Sequence, residues 1–483
     1  MQSKRDQVQA HLFVMGRLAT GMLRGEPDAV DTPAGRTSRG SVLGLAVAVL
    51  IAVGVALYGL VVPGGATGWR KPGTLVVVKE SGARYLFLDG ELHPVLNEAS
   101  ARLLAGDQLV VDQVSVKSLD GTPRGVPVGI QGAPDGLPTA ARLTGAPWYA
   151  CAQSRPAPSG SRIPGLALAV GADRPGERLT EDQAVLTAAP DGAEYLLWHG
   201  RRLRLDTRAG ARQALGYASA TPYPVTTAFL NALPAGPDLG APEIEGRGNP
   251  GPTLATHPTR VGQLFTGPGG DPYLLTASGL APLGRTMFEL LRGDSRTQHG
   301  AYGDAAVVPV VLGPIDLAAH PAPAAVTAGL AGQGLPAAPP QLLNVPQGKG
   351  VCAELRLGEQ APATAVTLLP DAAVTGLAPA AQPGVEPACA GADAIAVAPG
   401  GGALVRALSG AGSGSTLYLV TDTGVKFPLA SAEVAKQLGY AAAAPPAVPD
   451  ALLTLLPTGP SLDPALLTGA APAPVAAQPA CVR

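Results

Sequence analysis

The chain contains one long uncharged stretch, Val42–Val62, which reads VLGLAVAVLIAVGVALYGLVV. As an α-helix, these residues would be about 31 Å long, which matches a hydrocarbon core of roughly 30 Å. A helix pairs its own backbone polar groups, so a single helical segment can cross lipid. A cleaved signal peptide has a shorter apolar region and starts nearer the N-terminus. We therefore predict a transmembrane helix over residues 42–62.

The orientation of this span is predicted from charge and cysteine placement. Positive charges close to the span are balanced, and Lys4, Arg5 and Arg17 tip the balance weakly towards a cytoplasmic N-terminus. All four cysteines follow the span: Cys151, Cys352, Cys389 and Cys481. An even number without CxxC spacing favours disulfides in an oxidising compartment, although four cysteines allow three pairings. We predict a cytoplasmic N-terminus and about 420 residues outside.

Composition restricts the class of protein. The 483 residues are enough for several domains, and a net charge of −2 with 14% charged residues provides no basic surface for nucleic acid. Glycine (63) and proline (50) are abundant, but 46% hydrophobic residues exceed what a disordered chain contains. We expect a folded, loop-rich exterior that contains β-structure.

Two features at the N-terminal side are candidates for contacts with the membrane or with other proteins. Residues 3–24 predict an amphipathic helix, either lying in the membrane interface or docking on a cytosolic partner, and residues 26–41 predict a polar linker. Within the span, small residues recur every four positions: Gly44, Ala48, Ala52 and Ala56. Such stripes let helices approach closely in lipid, although alanine is common enough here for the stripe to arise by chance.

After the span, the chain repeats one unit four times. Residues 82–106 and 192–216 align without gaps and share 9 of 25 residues. In every copy, a β-rich run and a glycine turn precede a second strand that begins with tyrosine and leucine, and a short helix follows. The tyrosines are Tyr85, Tyr195, Tyr273 and Tyr418. The predicted unit is ββα, which is too small to bury a core alone.

The order of the copies suggests an internal duplication. Residues 215–239 and 438–462 align with more than half of their positions identical, whereas copies one and three end in Gly-Asp. This alternation predicts a quasi-two-fold shape and an α+β fold, with four repeats flanking a β-rich core. The predicted segments are a tail (1–41), the span (42–62), repeat 1 (63–120), a first core segment (121–179), repeat 2 (180–245), repeat 3 (246–300), a second core segment (301–399), repeat 4 (400–465) and a C-terminal tail (466–483).

Several motifs resemble the EccB component of the type VII secretion systems of actinobacteria. They are the opening segment 3–13, the segment 68–73 after the span, the segment 90–103 in repeat 1 and the final Leu-Pro-x-Gly-Pro-x-Leu at 456–462. The resemblance implies a cytosolic tail, one span in the inner membrane and a periplasmic exterior. It also implies a structural subunit that assembles with the other membrane components of a machine exporting small helical proteins.

The resemblance also implies a cysteine pairing. Cys151 and Cys352 flank the central region at positions similar to the family's disulfide, which leaves Cys389 and Cys481 as a second pair. The tail that follows Leu462 departs from the family pattern, and so does Cys481 near its end.

The sequence contains few signs of catalysis. ATP hydrolysis has been ascribed to members of the family, but Gln347-Gly348-Lys349-Gly350 lacks the first glycine and the Ser or Thr of a Walker A motif. GxSxG and HExxH are absent, and the six histidines are scattered. We therefore predict no enzyme activity, cofactor or metal. As an alternative, the repeat tyrosines could contact peptidoglycan, because the family's repeats resemble a wall-binding phage lysin subunit; hairpin packing explains them equally well.

Overall fold

The computed structural model describes residues 4–25, 33–61, 67–106, 109–156, 162–174, 176–330, 332, 334–358, 362–409, 416–440 and 445–468. Two helices come first, α1 (Lys4–Arg24) and α2 (Pro33–Val61). The described residues after α2 form short strands and short helices around buried apolar clusters. The predicted α+β fold is confirmed: one apolar N-terminal helix is followed by a large β-rich exterior.

The apolar helix begins earlier than predicted. Residues 26–41 are predicted as a linker, but α2 starts at Pro33, so the second half of that segment is helical. Proline suits the first turn of a helix because its φ is already helical and it has no amide hydrogen to leave unpaired. The next proline in the sequence is Pro63. Val62, the last residue of the predicted span, and Pro63 lie outside the described residues.

The exterior contains twenty-five strands and nine helices among the described residues. In the first half they are β1 (Thr74–Val78), β2 (Arg84–Leu88), β3 (Glu91–Pro94), α3 (Glu98–Ala105), β4 (Val110–Val114), β5 (Trp148–Pro156), β6 (Arg162–Val170), β7 (Glu177–Arg178), β8 (Gln183–Ala188), β9 (Glu194–Trp198), β10 (Arg201–Arg204), α4 (Ala211–Ala214), β11 (Tyr223–Pro224) and α5 (Thr227–Asn231).

In the second half they are β12 (Pro250–Leu254), β13 (His257–Arg260), β14 (Leu264–Thr266), β15 (Pro272–Thr276), β16 (Gly279–Pro282), α6 (Arg285–Arg292), α7 (Ser295–Tyr302), β17 (Val310–Val311), α8 (Pro314–Ala319), α9 (Ala324–Leu330), β18 (Gln341–Leu342), β19 (Lys349–Arg356), β20 (Ala363–Pro370), β21 (Ala394–Val397), β22 (Gly402–Leu408), β23 (Leu417–Thr421), β24 (Lys426–Leu429), α10 (Ala432–Gln437), β25 (Ala447–Pro449) and α11 (Asp450–Leu453).

Four sheets share one topology. Their strand orders are β3-β2-β1-β4, β10-β9-β8-β11, β16-β15-β14-β17 and β24-β23-β22-β25. In each, three strands are antiparallel and the fourth, beyond the helix, runs parallel to the first. The predicted ββα unit therefore lacks two strands. The third strand has only four residues in every sheet, too few for a clear period-two pattern.

A fifth, six-stranded sheet forms the core. Its strand order is β21-β6-β5-β19-β20-β7, and its strands come from residues 148–178 and 349–397. The inner four strands are arranged symmetrically, with β5 beside β19 at the centre. The outer strands are exchanged: β7 pairs with β20, and β21 pairs with β6. The two halves of the chain therefore interlock in one sheet.

The repeats extend further than their sequence similarity. Residues 301–399 are predicted as core, but β17 pairs with β14 and completes the sheet of repeat 3. Likewise, Arg124 and Val128, in the first predicted core segment, bridge to Leu92 and Val95 at the edge of repeat 1. The segments that contain β17, Arg124 and Val128 have no side-chain pattern that recurs in the other copies. A search for repeats in the sequence therefore does not detect them.

The repeats associate through their helices. In repeat 1, α3 contacts α10 of repeat 4, and one apolar cluster contains Leu103 and Leu438. In repeat 2, α4 contacts α6 of repeat 3, and another cluster contains Leu215 and Leu290. A side chain on Gly293 would place its Cβ 2.4 Å from that of Ala214, so this approach requires glycine. Repeat 1 thus lies beside repeat 4, and repeat 2 beside repeat 3.

Candidate functional site

The membrane helix presents its small-residue stripe without any covering contact from the described residues. Thr37–Gly59 of α2 is long and apolar enough to cross a membrane, with a mean hydropathy of 2.5 and no buried residue. Gly44, Ala48, Ala52 and Ala56 lie on one face because residues four apart are neighbours on a helix. A methyl group placed on Gly44 would meet no atom within 4 Å. The stripe can therefore receive another helix.

A disulfide joins the two halves of the core. Cys151 on β5 faces Cys352 on β19 in direct antiparallel register, and the two are bonded and fully buried. The pair lies at the centre of the symmetric region of the sheet, among Tyr149, Ala167 and Leu369. Cys389 is also disulfide-bonded, whereas Cys481, its predicted partner, lies outside the described residues.

A buried carboxylate beside the disulfide was not detected in the sequence. Glu354 on β19 is 4% exposed and accepts hydrogen bonds from Arg178 of β7, from Arg356 at 2.9 Å and from Thr367 of β20 at 2.9 Å. Burial alone would raise the pKa of Glu354, but the hydrogen bonds from Arg356, Thr367 and Arg178 outweigh burial and hold its pKa below the ordinary value. Glu354 therefore binds the exchanged strand β7 to the second half of the chain.

This network makes core stability depend on pH. Because the pKa of Glu354 is lower in the folded state than in the unfolded state, its stabilisation is complete above the unfolded pKa and is lost as pH falls through the folded pKa. Glu354→Gln is expected to lower the free energy of unfolding at pH 7 by about 1–3 kcal/mol and to flatten its decline in acid. Urea unfolding at a series of pH values measures both effects.

Glu177→Gln is the matched control for this measurement. Glu177 lies on β7 next to Arg178 and likewise pairs with a residue of β19, Lys349, at 3.2 Å, but its side chain is 62% exposed. An exposed pair contributes less than about 1 kcal/mol. An equal loss of stability in the two variants would show that burial of Glu354 is unimportant.

Two buried tyrosines connect repeats 2 and 4 to the predicted core segments. Tyr217 of repeat 2 donates a hydrogen bond to the carbonyl of Pro340 at 2.8 Å, and Tyr440 of repeat 4 donates one to Pro138 at 2.9 Å. Burial raises the pKa of both hydroxyls. The two tyrosines align in the duplicated stretches 215–239 and 438–462, which is the signal by which the sequence could have revealed them.

The four repeat tyrosines occupy equivalent positions on the second strands. Each lies opposite a residue of the first strand: Val76, Thr187, Phe265 and Val405. All four are partly buried and pack against apolar clusters. Guanidinium and ammonium groups cover two of the rings, with Arg124 at 5.6 Å from the Tyr85 centroid and Lys426 at 5.7 Å from that of Tyr418. These rings therefore contact their own repeats extensively.

The glycine-containing turn at residues 347–350 leads into a strand. Lys349 begins β19, its backbone amide donates to the Pro346 carbonyl at 3.1 Å, and its ammonium pairs with Glu177. A phosphate-binding loop instead leads into a helix whose free amides face the phosphate. Among the described residues, no group of His, Cys, Asp and Glu side chains could hold a metal ion.

The chain matches a known family over most of its length. The family model "Type VII secretion system ESX-1, transport TM domain B", for EccB, matches residues 1–469. The "ESX-3 secretion system ATPase EccB3" of Mycolicibacterium smegmatis is 29% identical over 480 residues, covering 95% of this chain and 89% of that protein. The "ESX-1 secretion system ATPase EccB1" of Mycobacterium tuberculosis is 28% identical, covering 95% and 94%.

Solved structures show the same fold. An EccB3 dimer from the ESX-3 core complex matches with a TM-score of 0.63 and 26% identity, covering 81% of this chain and 99% of that chain. A chain of an intact ESX-5 inner membrane complex matches with a TM-score of 0.63 and 24% identity, covering 97% and 95%. The resemblance found in the sequence is confirmed. With one membrane helix, the repeat-flanked core and a family match over nearly its whole length, this chain belongs to the EccB family of type VII secretion membrane proteins.

Proposed function

We propose that this chain is a structural subunit of a type VII secretion complex in the inner membrane and holds the other membrane components together. The observation that carries this proposal is α2, an apolar helix with no buried residue and a continuous stripe of small side chains. Without a driving force from water, helices in lipid associate where small residues permit close packing. The two halves of the exterior are interlocked by β7 and β21 and joined by a buried disulfide, which suits the exterior to organising partners.

We place the N-terminus in the cytoplasm and the exterior in the periplasm. The disulfide between Cys151 and Cys352 and the bonded state of Cys389, all after the span, suit an oxidising compartment. A membrane-impermeant thiol reagent on intact cells is expected to label Val126→Cys but not Gln7→Cys, while both are labelled after permeabilisation. Both positions are exposed. Labelling of Gln7→Cys in intact cells would show that the N-terminus lies outside the cytoplasm and would contradict the proposed topology.

We propose that the chain itself does not hydrolyse ATP, although its relatives are named ATPases. Support comes from the turn at 347–350, which opens a strand and engages its own amide and lysine. Lys349→Gln is therefore expected to leave secretion within about two-fold of wild type, because an exposed ion pair contributes little. Secretion of substrate into the medium is the measurement. Loss of secretion with the complex still assembled would show that a nucleotide site has been missed.

Peptidoglycan binding is the alternative function for the exterior. The covered rings of Tyr85 and Tyr418 favour a packing role over glycan contact. A pull-down of the detergent-extracted protein on purified peptidoglycan distinguishes the two: retention that is lost in a Tyr195→Phe, Tyr273→Phe variant would favour wall binding.

A further inference from the structure

The bonded state of Cys389 has a consequence for the C-terminus. Cys389 lies on an exposed loop and is disulfide-bonded. Cys151 and Cys352 are bonded to each other. Within one chain, Cys481 is the remaining cysteine of the four. A disulfide from Cys389 to Cys481 would bring the C-terminal tail, which lies beyond the described residues, to the surface around Cys389.

An apolar groove of about 540 Å³ lies beside Cys389. One wall consists of residues between 378 and 388, and the other of residues 391–393 together with Leu455 and Pro457. Backbone hydrogen bonds join the walls, from Ala392 to Leu455 at 3.1 Å and between Glu386 and Thr458. Asp393 is the one charged residue of the lining, and it is engaged by the Leu166 amide and by Arg155. The groove is therefore mostly apolar, and backbone hydrogen bonds hold its two walls in place.

The surface around the groove is apolar and exposed. Residues 376–391 consist mainly of alanine, proline and glycine, and all except Val385 and Ala388 are exposed. Exposed apolar surface next to a groove is typical of an interaction site.

The C-terminal tail has the composition that such a groove binds. Residues 469–480 read GAAPAPVAAQPA, without a charge. Alanine–proline sequences favour the extended polyproline conformation, which loses little entropy on docking into an apolar groove. The tail starts after the short helix Pro464–Thr468, whose Leu466 and Leu467 pack on the same cluster as Val385 of the groove wall. The thirteen residues from 468 to 481 can span roughly 45 Å, which allows the tail to cross the groove and reach Cys389.

We propose that residues 469–480 lie in this groove of the same chain and that a disulfide between Cys389 and Cys481 fixes them there. The resulting loop of 92 residues (481 − 389) contains all of repeat 4. Repeat 4 is thereby tied to the core at both of its ends, and the groove is closed to apolar segments of other proteins.

Trypsin mapping of the full-length chain in detergent, without reduction, tests the bond. Trypsin releases Cys389 in the peptide 357–406 and Cys481 in the peptide 437–483. We expect these two peptides to be linked and the protein to migrate as a monomer on a non-reducing gel. A covalent dimer, a free Cys389 thiol, or a link from Cys389 to the peptide containing Cys151 would overturn the proposal.

Photo-crosslinking tests whether the tail occupies the groove. With a benzophenone amino acid at Val475 of the full chain, we expect intrachain cross-links within residues 378–393. Ala381→Trp fills the groove from an exposed lining position and is expected to reduce their yield at least five-fold. Ala372→Trp, equally exposed but outside the lining, is the control and should not change the yield. Cross-links to residues outside the groove or to a second copy would show that the tail does not lie in the groove. A yield that Ala381→Trp leaves unchanged would show the same.

Discussion

Replacing Ala48 and Ala52 together by leucine is expected to prevent this chain from entering its secretion complex and to abolish secretion. Both residues lie on the uncovered stripe of α2. Association of helices in lipid depends on close van der Waals packing, so two added isobutyl groups on the contact face separate the helices. The exterior should remain folded, because the described portion of α2 is nowhere buried against it.

The size of the purified complex, its subunit content and substrate in the medium are the measurements for this double variant. Ala46→Leu with Gly54→Leu is the matched control, since these positions lie on the opposite face of α2. We expect the control to assemble and secrete. If both variants assembled equally well, the small-residue stripe would not be a contact face. The proposal that this chain is a structural subunit would then lose the observation on which it rests.

Removing the buried disulfide, with Cys151 and Cys352 both changed to alanine, is expected to cause the largest loss of stability. The bond spans 201 residues, including repeats 2 and 3. The chain-entropy model assigns such a loop about 5 kcal/mol, and losses on removing native disulfides are typically 2–5 kcal/mol. The two sulfur-bearing strands are also central in the sheet, so the loss affects the whole core.

Urea unfolding followed by tryptophan fluorescence measures this loss, because Trp148 is fully buried on β5, three residues from Cys151. The comparison is best made with Cys389 and Cys481 already changed to serine, so that one disulfide remains to be tested. In the variant that carries only these two serine changes, adding reductant should lower the urea midpoint as much as changing Cys151 and Cys352 to alanine does. An unchanged midpoint in both cases would mean that strand pairing alone holds the two halves together.

The local features of this protein could be predicted from its sequence. The uncharged stretch 42–62 predicts a membrane helix because length and apolarity must match the bilayer. The four tyrosines and the alignment of 215–239 with 438–462 reveal the repeats, because each copy follows the same short-range hairpin and helix pattern. The motif set predicted the EccB family, which the comparisons confirmed.

Tertiary structure alone decided how these units are combined. The third strands are too short to show a period, and β17 and β11, with two residues each, pair with strands more than thirty residues away. The exchange of β7 and β21, the burial of Glu354 and the pairing of repeat 1 with repeat 4 depend on contacts between distant segments. Such contacts leave no periodic signal along the chain, because register and partner choice are determined by packing between segments rather than within them.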